Sequence, residues 1–193
     1  MGRICAVENI TLDGVMQSPG RPDEDTRGGF RHGGWGDGYA DEVIGKFMAA
    51  GMASSGAMLF GHRTYEDVLH HWTTTADPNP FADVLVNAAK YVVSRHADTR
   101  LAYPNSTLVA GDAATTVATL KKEFDGALTV IGSGELVRSL HAAGLIDEYL
   151  LLVYPIVLGS GARLFGDDDR ADLALVESAP STTGVLIARY RVR

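Results

Sequence analysis

Apolar residues fall into short runs rich in Val, Ile and Leu, separated by longer stretches in which they recur at helical spacing. Short runs bounded by turn residues read as strands, and recurrence at i, i+3 and i+4 reads as one face of a helix. On this basis residues 4–10, 57–60, 91–94, 108–110 and 128–131 are strands. Val43, Ile44, Phe47, Met48 and Met52 mark a helix beginning near Ala40. Residues 64–72, 81–89, 115–124 and 135–143 are helical too, the last ending at Gly144, a residue that accepts the left-handed conformation common past a helix end. Strands alternating with helices predict an α/β sandwich. After Glu148 the pattern changes: "EYLLLVYPIVLG", "LALVESA" and "GVLIARYRV" are strand-like with no helix between them. They predict an antiparallel edge on a mostly parallel sheet. Residues 12–39 carry eight glycines and little periodicity, a long loop of the kind that closes over a ligand.

Composition narrows the class. A chain of 193 residues, 46% hydrophobic and 21% charged, suits one soluble globular domain spanning residues 1–193. The formal charge of −7 argues against binding nucleic acid, whose partners carry basic patches, and favours a small-molecule substrate. Cys5 is the single cysteine, so no intrachain disulfide or Cys-based zinc site can form, which suits a reducing cytoplasm. The first residues lack the charged and apolar regions of an export signal, and no run reaches the ~18 apolar residues of a membrane span. The expected location is the cytoplasm, with no membrane association and no metal.

Three predicted strand ends carry glycine or a small polar residue ahead of a helix or loop: Gly61 to Thr64, Ser94-Arg95, and Gly132-Ser133-Gly134. Ligands of open α/β sheets gather beyond the carboxyl ends of strands, where helix N-termini offer unpaired N–H groups to anions. Gly132-Ser133-Gly134 starts like a dinucleotide fingerprint but has Val137 where the third glycine belongs, and a tight packing turn explains it equally well. Arg63 and Arg95 occupy equivalent positions after different strands, and their guanidinium forks suit a phosphate such as a 2′-phosphate; two solvated surface arginines are the plain alternative. His62 could join that anion site. Thr64 is also a natural N-cap, with acidic residues following it. Other chemistries are excluded: His70-His71 lacks the H-E-x-x-H spacing, and neither a P-loop nor a G-x-S-x-G elbow is present.

The blocks "AVENITLDGVM", "LFGHRTYEDV", "KYVVSR" and "LTVIGSGELVRSLHAAGLIDEYLLLVYPIVLGSGARLF", in that order, resemble the dihydrofolate reductase-like family over nearly the whole chain. The branch most similar is that of the C-terminal reductase domain of the bifunctional riboflavin-biosynthesis deaminase/reductase. The resemblance implies a three-layer α/β/α sandwich, its sheet mixed, mostly parallel, with an antiparallel C-terminal edge. It implies NADPH as cofactor and hydride transfer to a small heterocycle, as in 5-amino-6-(5-phosphoribosylamino)uracil reductase or dihydrofolate reductase. In that scheme Gly61 and Thr64 approach the pyrophosphate, and His62 or Arg63 meets the 2′-phosphate. Ser94 and Arg95 match a second cofactor turn, and Gly132, Ser133, Gly134 and Glu135 the glycine turn beneath the pyrophosphate. Asp13 and Gly14 match the segment beside the nicotinamide, Asp13 being the expected catalytic residue, which orients the substrate, with the proton supplied by a carboxylate or by water. Trp35 matches an aromatic before the next helix. Asp37, Asp41 and Glu42 are the acids nearest the pteridine-binding position, with Asp41 taken as substrate-binding. A homodimer is implied, paired through the apolar stretch 149–158. The zinc deaminase pattern H-x-E…P-C-x-x-C is missing, and residues 17–38 are glycine-heavy and acidic where a phosphoribosyl group would favour basic side chains. A ligand- or nucleotide-binding protein without turnover is the alternative reading on the same fold.

Overall fold

The computed structural model describes residues 1–75 and 80–193; residues 76–79 of the predicted break between two helices lie outside the described part. In chain order the elements are β1 (Arg3–Thr11), α1 (Glu42–Ala53), β2 (Ala57–Gly61), α2 (His62–Thr74), α3 (Pro80–Asn87), β3 (Lys90–Ser94) and β4 (Ser106–Ala110). They continue with α4 (Ala113–Glu123), β5 (Ala127–Ile131), α5 (Gly134–Ala142), β6 (Glu148–Tyr154), β7 (Leu173–Pro180) and β8 (Leu186–Val192). The eight strands form one sheet in the order β4-β3-β2-β5-β1-β6-β8-β7. β2 pairs in parallel with β3 and β5, β3 with β4, and β1 with β6; β8 runs antiparallel to β6 and β7. The mixed, mostly parallel sheet with an antiparallel C-terminal edge follows the expected pattern.

The chain divides into two compact units, one of Met1–Ile4 with Ser55–Leu145 and one of Cys5–Ser54 with Ile146–Arg193. In the first unit β2 is apolar and buried along Ala57, Met58, Leu59 and Phe60, as a parallel strand covered on both faces requires. α2 buries Tyr65 and Leu69, spaced i, i+4 on one face. The Tyr65 hydroxyl accepts from the Tyr103 N–H (2.9 Å) and meets Ser106 Oγ (3.1 Å), so this large buried ring leaves no polar atom stranded. α3 stops at Asn87, two residues before the predicted end. There Lys90 buries its side chain and donates Nζ to the carbonyls of Leu85 (2.8 Å), Val86 (3.0 Å) and Ala88 (2.7 Å), satisfying the acceptors a helix end leaves free.

The core of the second unit gathers Val7, Val15, Phe30, Trp35, Leu150, Leu152, Tyr154, Val185 and Ile187. The long loop after β1 is part of it. Trp35 donates Nε1–H to the Gln17 carbonyl (2.7 Å), and the Gln17 amide donates to the carbonyls of Asp25 (3.1 Å) and Arg27 (2.9 Å) while accepting from Ala162 N–H (2.9 Å). Its only helical piece is a short 3-10 turn at Arg27–Gly29. Close approach at Gly161 fixes that residue type: its φ is +117°, and a Cβ there would lie 2.7 Å from Phe30 and Val15 atoms. The stretch 149–158 differs from expectation. β6 lies between β1 and β8, with Tyr149 and Leu150 no more than 1% exposed, so the strand part of that stretch is interior, while Val157 beyond it is 68% exposed.

Candidate cofactor and substrate sites

β2 ends at Gly61, which keeps extended backbone angles (φ −72°, ψ 146°) and serves as the N-cap of α2. The helix starts at His62, so Thr64 stands within the first turn and does not cap it; the capping role expected for Thr64 is corrected. The chain turns two residues earlier because Gly61 supplies the non-helical residue, and its N–H is held by Ser133 Oγ at 3.0 Å. No side chain caps α2. His62 directs Nε2 to within 3.3 Å of Glu66 Oε1 without forming a hydrogen bond, leaving that nitrogen buried and unsatisfied. Arg63 is exposed, its Nη1 3.6 Å from Glu135 Oε1.

The β5–α5 turn faces this one within the same unit. Gly132 (φ +57°) and Ser133 (φ +61°) are both left-handed, and Ser133, a non-glycine residue, holds that geometry as the N-cap of α5. Its hydroxyl serves Gly61 and not its own helix, so α5 also lacks a side-chain cap. A Cβ on Gly132 would approach Thr64 Cγ2 to 3.6 Å, which measures how closely the two turns pack. Gly134 opens α5, and Glu135 lies in its first turn. Two helix N-termini thus meet, neither bonded by its own N-cap side chain, with the positive ends of both helix dipoles. That donor set fits a diphosphate. At the end of β3 the buried Ser94 pairs its Oγ with Thr99 Oγ1 (2.7 Å) and receives His96 N–H, while Arg95 is exposed; hydrogen bonds from the Thr115 N–H and hydroxyl, with a smaller share from the Arg95 charge, hold the Asp112 carboxyl below the usual range.

In the second unit Asp13 follows β1. Its carboxylate accepts from Thr11 Oγ1 (2.6 Å), Leu158 N–H (3.2 Å) and Gly159 N–H (2.8 Å), with Arg163 Nη2 3.7 Å away. These bonds, the Thr11 hydroxyl first, pull its pKa down to about 2. Asp13 is therefore ionised and fully engaged in tying the β1 turn to the 158–159 loop, and near neutrality it has no proton to give. Gly14 (φ +82°) closes that turn by donating to the Thr11 carbonyl (2.9 Å). Trp35 is packed in the core with its ring edge-on to Tyr154 at 5.1 Å. Asp41 is the N-cap of α1: Oδ1 accepts from Ile44 N–H (2.8 Å) and Oδ2 from Thr182 N–H (2.6 Å) and Oγ1 (2.7 Å). Those bonds hold its carboxyl below the usual range. Asp37 is exposed, and Glu42 pairs with Lys46 at 2.7 Å.

Two residues of β1 escaped the sequence reading. Glu8 is 4% exposed, its Oε1 has no partner, and burial pushes its pKa up to about 8. Asn9, beside it, accepts a hydrogen bond from the Tyr154 hydroxyl (3.2 Å). A polar pair inside a strand with apolar residues on both sides was the signal available. Among the described residues no group of His, Cys, Asp and Glu is arranged to hold a metal ion.

Sheet order, strand directions and glycine turns at strand ends define a dihydrofolate reductase-like α/β protein. The chain belongs to the RibD C-terminal domain family, which it matches over residues 4–187. It is 28% identical over 140 residues to the protein YyaP of Bacillus subtilis (strain 168), covering 69% of this chain and 72% of that one. Its fold is shared with a Shewanella sp. PV-4 protein provisionally described as a riboflavin biosynthesis protein, at TM-score 0.72 and 20% identity over 99% of both chains. The dihydrofolate reductase of Enterococcus faecalis, solved with NADP(H) and RAB-propyl, superposes at TM-score 0.62 and 13% identity, covering 99% of this chain and 96% of that one.

Proposed function

We propose that this protein is a cytoplasmic, NADPH-dependent reductase that transfers hydride to a small heterocycle of the aminouracil or pteridine type. The observation that carries the reading is the pair of uncapped helix N-termini joined by the Gly61 N–H to Ser133 Oγ bond. The family and a fold relative solved with NADP(H) support it. NADPH would supply the hydride. Thr64 and the Gly132 to Glu135 turn would hold its diphosphate by backbone N–H groups, while Gly61, its own N–H given to Ser133, would let the diphosphate approach the turn closely. His62, Arg63 and Arg95 would meet the 2′-phosphate, with Ser94 fixing the turn that carries Arg95. Asp13 would set the shape of the substrate side by bonding the 158–159 loop, with Gly14, Trp35 and Asp41 supporting the same unit. The proton for the reduced atom would come from water or another group, since the Asp13 carboxyl is ionised.

In fluorescence titration NADPH should bind at least tenfold more tightly than NADH, and the double variant Arg63→Ala, Arg95→Ala should abolish that preference. Equal affinities in the wild type would remove the 2′-phosphate assignment. One observation favours a second reading, ligand binding without turnover: Asp13 and Asp41 have both carboxylate oxygens engaged in internal bonds. Loss of absorbance at 340 nm with dihydrofolate, pterin or aminouracil substrates decides for the reductase, and NADPH binding with no turnover decides for the alternative.

A further inference from the structure

Residues 5, 7, 9 and 11 of β1 share one face of the sheet, and 4, 6, 8 and 10 the other. On the first face Val7 joins the cluster that contains Trp35 and Tyr154, and the register sets Asn9 beside Leu152 and Thr11 beside Tyr154. Asn is disfavoured in strands, yet Asn9 stands two residues before the end of a nine-residue one. Such a break with local preference is expected where a site needs a particular side chain.

An asparagine amide offers an acceptor oxygen at one end and two N–H donors at the other. The hydroxyl of Tyr154, a residue 8% exposed, donates to Asn9 Oδ1 at 3.2 Å and so turns Nδ2 the other way. Burial keeps that phenol protonated by raising its pKa. Asn9 Nδ2 then has no protein acceptor among the described residues. Nor is it sealed in, because the buried unpartnered side-chain atoms are Glu8 Oε1 and His62 Nε2. Around the pair the surroundings are aromatic and aliphatic: Tyr39 lies edge-on to Tyr154 at 5.4 Å, and Val43, Ile44, Phe47 and Met48 of α1 are only partly buried against the same cluster. Apolar walls with one oriented polar group are the usual make-up of a small-molecule site.

We propose that Asn9, held in one orientation by Tyr154, donates Nδ2–H to a ring carbonyl oxygen of a planar heterocycle and thereby selects pyrimidinone-type substrates over analogues with amino groups in place of the ring carbonyls. Asn9 is the recognition residue and Tyr154 its positioning residue. For the substrate class the inference rests on the reductase reading; for the donor at Asn9 it does not.

Two probes separate the outcomes by isothermal titration: 5,6-diaminouracil, which has two ring carbonyls, and 2,4-diaminopyrimidine, which replaces both with amino groups. Wild type should prefer the first. Asn9→Asp, which exchanges the donor for an acceptor at constant size, should weaken 5,6-diaminouracil by about 30-fold and strengthen 2,4-diaminopyrimidine, reversing the order. Tyr154→Phe should weaken 5,6-diaminouracil about fivefold without reversing it, because the amide becomes free to turn. NADPH affinity and melting temperature, measured on the same samples, establish that each variant is folded. Unchanged probe preference in folded Asn9→Asp, or a wild type that binds neither probe, overturns the inference. A wild type that prefers 5,6-diaminouracil but does not bind NADPH overturns the reductase reading and leaves the Asn9 donor standing.

Discussion

Glu8 carries a carboxyl where no protein group meets its Oε1, and the surrounding apolar side chains make its charged form costly. Its pKa rises from the ordinary 4.5 to about 8, so between those values the folded protein holds a proton that the unfolded chain releases. Stability therefore falls as pH rises through that window, by up to about 1.4 kcal/mol per pH unit, and is flat above it. Asp13 works in the opposite sense at the acid end: with its pKa lowered from 3.8 to about 2, its contribution is complete above 3.8 and lost as pH falls through 2. Thermal melts from pH 5 to 9 should show a declining midpoint for the wild type and a much flatter one for Glu8→Gln; parallel slopes would refute the buried acid as the cause. At this scale the sequence was legible where a residue acts locally. Gly61, Gly132 and Gly14 stand out as turn residues from their neighbours alone. Asn9 and Asp13 do not reveal themselves that way, because Asn9 meets Tyr154 and Asp13 meets Leu158, each across 145 positions.

Element boundaries were legible to within two residues where a periodic apolar face fixed them, as in α1 and β3. Threonine is a good cap in isolation, but α2 starts ahead of Thr64 because Gly61 takes the cap position and the neighbouring turn takes its N–H. The true side-chain caps are Asp41 on α1 and Asp112 on α4, each accepting from the N–H three residues on. This assignment has a measurable consequence. Asp41→Ala, which also frees Thr182, should lower the melting midpoint by about 3 °C or more, while Thr64→Ala should move it by less than about 1 °C. A larger effect at Thr64 than at Asp41 would reverse the assignment. The β7–β8 hairpin was legible only as strands; the shift in its register between Leu175 and Glu177 depends on pairing that no local pattern encodes.

At the scale of the whole molecule, the exposed apolar side chains include Leu175 and Val176 on β7 and Leu186 on β8, at the antiparallel edge of the sheet. An edge strand with exposed apolar residues invites pairing with another chain. We propose the homodimer at this edge in place of the stretch 149–158, whose strand β6 is interior. Light scattering at micromolar concentration should then give twice the 20.6 kDa chain mass, and Leu175→Lys should return it to one. A monomeric wild type would remove the dimer. Membrane insertion through a helix finds no support, since no helix among the described residues is long and apolar enough to cross a bilayer.

The bond from Gly61 N–H to Ser133 Oγ spans 72 positions of chain and joins the two turns that frame the proposed diphosphate site. Neither turn has the other in place until β2 and β5 lie side by side, so the site depends on contact between segments distant in the chain. Ligand occupancy then draws the population toward the finished sheet: at a hundredfold excess over its dissociation constant a cofactor adds about 2.7 kcal/mol. Under the proposed function, cofactor concentration would in this way govern the stability of the protein as well as its activity.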